Sequence, residues 1–101
     1  METLTGSIQP EAPRLKAKTA FLTDWNAISY AENYLLYVEH YHLADIVGTP
    51  TAGTTGNIAP FALPGDYLVL WTALKVQKHD GSRFHGVGIH ANVPAAPTLK
   101  V

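Results

Sequence analysis

Between Ser29 and His42 the chain contains neither glycine nor proline, and this unbroken stretch lies between two short apolar runs. That arrangement constrains the fold more than any other feature. Tyr30, Tyr34, Tyr37 and Tyr41 recur at helical spacing, with Ala31, Leu35 and Val38 beside them, which predicts a helix from Ser29 to about His42. Ahead of it, Thr19–Thr23 (Thr-Ala-Phe-Leu-Thr) is a short β-prone run bounded by Lys18 and Asp24; behind it, Ala44–Val47 is a second. Strand, helix and strand in this order and at this length predict a β-α-β crossover with parallel strands, which places the chain in the α/β class. The polar set Glu32, Asn33, Glu39 and His40 leaves a narrow wet side. The helix is therefore expected to be buried around most of its circumference, with the tyrosine stripe in the core.

The rest of the chain is punctuated by glycine and proline. Residues 1–13 are polar, carry two prolines and show no apolar period, which predicts an extended lead-in. Gly48–Gly56 (Gly-Thr-Pro-Thr-Ala-Gly-Thr-Thr-Gly) is too rich in breakers for regular structure and reads as a loop able to line a site. Tyr67–Val76 is a long β-prone run, and Asp80-Gly81 then signals a turn before Arg83-Phe84-His85. Two antiparallel strands are expected there. The tail from Ala91 to Val101 has two prolines and weak patterning and is expected to trail along the surface.

One domain is the ceiling for 101 residues. With 47% hydrophobic and 15% charged residues the composition is that of a folded globular chain, and no apolar run reaches the length a bilayer requires. Seven basic against eight acidic residues leave a net charge of −1, with no basic stripe to attract nucleic acid or anionic lipid. The absence of cysteine excludes disulfides, thiolate metal sites and cysteine nucleophiles. Residues 1–9 lack the basic and apolar regions of a signal peptide.

Ser29 is the residue with the most chemistry to offer. A serine hydroxyl becomes a nucleophile when a base takes its proton and nearby N–H groups receive the oxyanion. At a helix start the free N–H groups, that of Tyr30 above all, point toward the space where a carbonyl oxygen would sit. Ser29-x-x-Glu32 is also the capping box, in which the same serine satisfies the helix end and does no chemistry. Composition does not separate the two readings.

Five motifs in order do bear on them: Leu22-Thr-Asp-Trp-Asn-Ala-Ile-Ser-Tyr-Ala-Glu32, Val38-Glu-His-Tyr41, Ile46–Asn57, Lys78-His-Asp-Gly-Ser82 and His85-Gly-Val-Gly-Ile89. Together they resemble the C-terminal half of the tail-specific (C-terminal processing) serine peptidases, from about Pro13 to Pro94. The resemblance implies a partial crotonase-like or Clp-protease-like α/β core over residues 14–94, with 95–101 as a tail. It implies that Ser29 is the nucleophile, that the Tyr30 N–H serves the oxyanion hole, and that the chain acts on peptides or proteins without a cofactor or metal. Trp25, just before Ser29, would wall a specificity pocket, and Gly53 and Thr54 would line the substrate site.

The general base is harder to find. One branch of the family uses a lysine in the glycine-rich loop, and the aligned position here is Thr54; no lysine lies between Lys18 and Lys75. The tricorn-core-like branch uses a Ser-His-Ser-Glu tetrad whose histidine lies well upstream, and no histidine precedes Ser29 here. His85 stands nearest the position of that tetrad's glutamate, a departure from the pattern. The resemblance therefore implies a truncated peptidase whose base comes from outside this chain, inactive when isolated and prone to self-association or to pairing with a missing N-terminal half. A second class is a non-catalytic peptide-binding or assembly module, using edge-strand addition through the Tyr67–Val76 hairpin. A third, a histidine metal binder, is disfavoured: His40 and His42 fall on different helix faces, and His79, His85 and His90 suit structural or surface roles.

Overall fold

The computed structural model describes residues 6–98. Strand β1 (Ala20–Thr23), helix α1 (Tyr30–Tyr41) and strand β2 (Asp45–Gly48) form the expected crossover. β1 and β2 pair in parallel, from Ala20 opposite Asp45 to Thr23 opposite Gly48. Gly48 permits this close approach: at φ 134, a Cβ on it would lie 1.9 Å from the Thr23 carbonyl oxygen. With no side chain there, the Thr49 N–H donates to that oxygen at 3.1 Å and the ladder continues toward the loop.

Helix α1 ends where His42 turns left-handed (φ 50, ψ 46) and the Leu43 N–H folds back onto the Val38 carbonyl. It presents Leu35, Leu36 and Val38 to Ile46 of β2 and to Phe84 and Ile89, which are fully buried. Burying each such side chain contributes about 1.5–3 kcal/mol. Ala44, Val76 and Ala91 pack around this cluster.

The expectation of a helix buried on nearly all sides is not met. Glu32, Leu35, Leu36 and Val38 are buried, whereas Tyr30, Tyr34 and Tyr41 are exposed, because the described residues supply packing partners for one face only. Tyr30 and Tyr34 instead meet each other edge-to-face at 5.1 Å, the Tyr34 hydroxyl donating to that of Tyr30.

The antiparallel hairpin forms between different partners from those expected. Strand β3 (Ile58–Leu63) pairs with β4 (Tyr67–Thr72), from Ile58 opposite Thr72 to Leu63 opposite Tyr67. The Leu63-Pro64-Gly65-Asp66 reversal makes the turn, with Gly65 and Asp66 at positive φ. Around Asp80-Gly81 a turn does form, but pairing is limited to one bridge between Gln77 and Arg83. The ladder stops because the Val76 N–H donates to the His85 ring at Nε2 (2.8 Å) instead of to a backbone carbonyl.

The tail is also more ordered than its pattern suggested. Strand β5 (Val93–Pro94) joins the parallel sheet beside β2, giving the order β1-β2-β5. The Asn92 side chain latches it, accepting from the Ile46 N–H at 2.6 Å and donating to Asp45 at 2.9 Å. Residues 6–13 carry no regular structure; residues 1–5 of the expected lead-in and 99–101 of the tail lie outside the described residues.

Candidate functional site

The connection from β1 to α1 is a tight polar turn. Asp24 accepts from the Asn26 N–H at 2.9 Å through its side chain and from the Ala27 N–H at 3.0 Å through its carbonyl. The Ala27 carbonyl then accepts from Ala52 of the glycine-rich loop. The chain next enters Ser29 at φ 51, ψ −112, a region that residues with a Cβ seldom adopt, that costs on the order of 1–3 kcal/mol and that persists only where the surroundings enforce it. Ser29 is exposed, and its side chain makes no capping hydrogen bond. The Glu32 N–H donates to the Ser29 carbonyl at 3.0 Å. The capping-box arrangement of Ser29 and Glu32 is present, and its return half is a full hydrogen bond: the Ser29 N–H donates to Glu32 Oε2 at 3.0 Å. One residue on, Tyr30 opens the helix, where its N–H has no intrahelical acceptor, and it finds no backbone acceptor elsewhere among the described residues.

Glu32 is the residue that spacing alone passed over as a cap. It is fully buried. Its Oε1 accepts from the Thr51 hydroxyl and the Gly53 N–H, both at 2.6 Å. Its Oε2 accepts from the Thr54 N–H (2.8 Å), the Thr54 hydroxyl (3.2 Å) and Ser29. Burial alone would raise its pKa, but the hydrogen bonds from Thr51, Thr54 and Gly53 outweigh it, so the carboxyl is held below the usual glutamate value and stays ionised. The sequence pattern places Glu32 on the wet side of the helix; the signal that could have found it is the threonine-rich loop after β2, whose Thr51 and Thr54 hydroxyls donate to it.

Thr54 and Gly53 do come to the helix start. The Thr54 hydroxyl lies 3.2 Å from the Ser29 nitrogen, so the loop position aligned with a base lysine is beside the serine. Gly53 is committed to packing: its N–H serves Glu32, and its carbonyl accepts from Gly86 at 3.0 Å. A Cβ there would meet the backbone nitrogens of Gly86, Val87 and Gly88 at 2.8–2.9 Å. Trp25 stands in the β1–α1 connection, 72% exposed. His85 is half-buried, and the bonds its ring makes go to the Leu74–Val76 segment. At the far end of the helix His40 stacks on His79 at 4.1 Å beside the Lys78–Glu39 ion pair. Among the described residues no group of three or more His, Asp and Glu is arranged to hold a metal ion, and no helix is long and apolar enough to cross a membrane.

The class of protein is defined by structural likeness: the mixed α/β fold, parallel sheet plus antiparallel hairpin, is shared with solved peptidases. The crystal structure of mature CPAF superimposes with a TM-score of 0.69 and 22% identity, over 74% of this chain and 15% of that one. The crystal structure of the tricorn protease gives 0.66 and 19%, over 85% of this chain and 10% of that one. The chain belongs to peptidase family S41, whose family model matches residues 2–95. It therefore spans between a tenth and a sixth of the length of these two solved relatives. Comparison with curated proteins finds no match.

Proposed function

We propose that this chain carries the nucleophile-bearing part of a tail-specific serine endopeptidase of the tricorn-core-like branch, built on a crotonase-like core. Ser29 attacks the scissile carbonyl to form an acyl-enzyme, the Tyr30 N–H donates to the oxyanion, Trp25 walls the specificity pocket, and Gly53 and Thr54 line the substrate site. The observation that carries this reading is the backbone of Ser29, an exposed, non-glycine residue at φ 51 and ψ −112 at a strand-to-helix turn. This is the kind of strained junction that raises a serine hydroxyl above free helix amides. The general base is supplied from outside these residues. In support, no side chain receives a hydrogen bond from the Ser29 hydroxyl among the described residues, and His85 is engaged elsewhere.

A serine-directed fluorophosphonate tests the assignment. The isolated chain is expected to label negligibly and to hydrolyse peptides negligibly; the chain assembled with a histidine-bearing upstream half is expected to label at Ser29 and to lose labelling in Ser29→Ala. Labelling of Ser29 in the isolated chain would show that the base is internal, and absence of labelling in the assembled form would remove the peptidase reading.

One observation favours a second reading, a peptide-binding or assembly module that keeps the scaffold. The β3–β4 hairpin exposes apolar side chains along both strands, including Phe61, Leu68, Leu70 and Trp71, and an uncharged strand edge of this kind accepts an added strand.

A further inference from the structure

We infer that Glu32 is a positioning residue for Ser29: its buried carboxylate ties the backbone of the serine to the Thr51–Thr54 loop and thereby holds Ser29 in its strained conformation. The inference rests on the nucleophile reading of Ser29 and adds the device that keeps the hydroxyl presented.

A backbone at φ 51 with a Cβ relaxes unless something else fixes it. The Ser29 N–H has two acceptors, Glu32 Oε2 at 3.0 Å and the Thr54 hydroxyl at 3.2 Å, and the Thr54 hydroxyl itself donates to Glu32 Oε2. Both restraints on the serine therefore converge on one carboxylate. That carboxylate is in turn fixed by Thr51, Gly53 and the Thr54 N–H. Thr51 is held by accepting from the Ile89 N–H at 2.9 Å, and Gly53 by the Gly86–Gly88 turn. The chain of contacts runs from the core at Ile89 to the serine without a gap. Every group that donates to Glu32 is neutral. An ordinary capping glutamate is solvated and serves one or two amides; this one is sealed and serves five donors.

A geometric consequence follows for the oxyanion. Because the Ser29 N–H points to Glu32 and Thr54, it is withdrawn from the space above the helix, which leaves the Tyr30 N–H as the free donor at the helix start.

The test uses the full chain and needs no catalysis. On acidification, the amide resonances of Ser29, Gly53 and Thr54 are expected to shift together with a single midpoint, below the roughly 4.3 of an ordinary glutamate. Glu32→Gln, isosteric but presenting an amide NH2 to donors that need an acceptor, is expected to abolish that common titration. Should Glu32→Gln fail to fold, Thr54→Val removes the hydroxyl bridge alone; the Ser29 amide is then expected to keep titrating through its direct bond. Three amides that titrate separately, or a Ser29 amide that ignores Glu32, would overturn the inference and leave the nucleophile assignment standing. Co-titration in a chain whose Ser29 never labels in any assembly would sink the assignment and leave the tie intact.

Discussion

The two halves of this molecule treat apolar side chains in opposite ways. On the inner face of helix α1, and where the Thr51–Thr55 loop and the Phe84–Ile89 segment pack against it, side chains are enclosed: Phe84, Ile89, Glu32 and Thr55 are all but inaccessible to water. In the β3–β4 hairpin every residue of β4, from Tyr67 to Thr72, is exposed, as is most of β3. A two-stranded hairpin has little stability of its own in water. The contrast teaches that the site region closes its own core, whereas the hairpin is shaped for cover that the described residues do not provide.

The largest effect that would sharpen this contrast is on the enclosed side. Phe84→Ala is expected to cost about 3–5 kcal/mol, much of the 5–15 kcal/mol of a typical domain, and to abolish a cooperative thermal melt. Trp71→Ala in the hairpin is expected to stay within about 0.5 kcal/mol by the same measurement. Equal losses would break the comparison.

An intermediate effect is expected from acid. Glu32 has its pKa lowered in the folded chain, so the unfolded chain takes up the proton more readily. Its contribution to stability is complete above the ordinary glutamate value of about 4.3 and is lost as pH falls through the lower folded value. Melting temperature followed from pH 6 to pH 3 should decline in that acidic window, and Glu32→Gln should flatten the part of the decline due to this group. A Glu32→Gln chain that declines as steeply as the native one would show that the loop tie does not govern acid stability.

The smallest effect on stability belongs to the hairpin edge. Leu70→Lys is expected to leave the melt within about 0.5 kcal/mol of the native one while lowering the apparent mass in light scattering, since a charge on a strand edge opposes pairing with another chain. An unchanged mass would show that the hairpin is not a surface for self-association.

What was legible in the sequence divides along physical lines. The crossover was legible because its signals are local: an unbroken helical period in 29–42 and short apolar runs on either side. Strand β3 was not, because Pro60 sits inside it and argues against a ladder, although on the edge of a two-stranded ribbon a missing N–H is tolerated. Strand β5 was hidden for a related reason, its second residue being Pro94. At the site, the junction and its Ser-x-x-Glu spacing could be read directly. The burial of Glu32 could not, since its partners Thr51, Gly53 and Thr54 lie 19 to 22 positions away and only the folded chain brings them to it. The family resemblance singled out Thr54 as a site position, but its hydrogen bonds to Ser29 and Glu32 emerge only in the folded chain.

Strand β5 carries a kinetic consequence. Its latch joins Ile46 to Asn92 across 46 positions, so this rung of the parallel sheet is laid down only after the segment carrying Asn92 has been made. Contacts between such distant positions slow folding. During synthesis the helix and its loop would emerge first and wait, with the far edge of β2 open, until the segment around Val93 arrives to seal it.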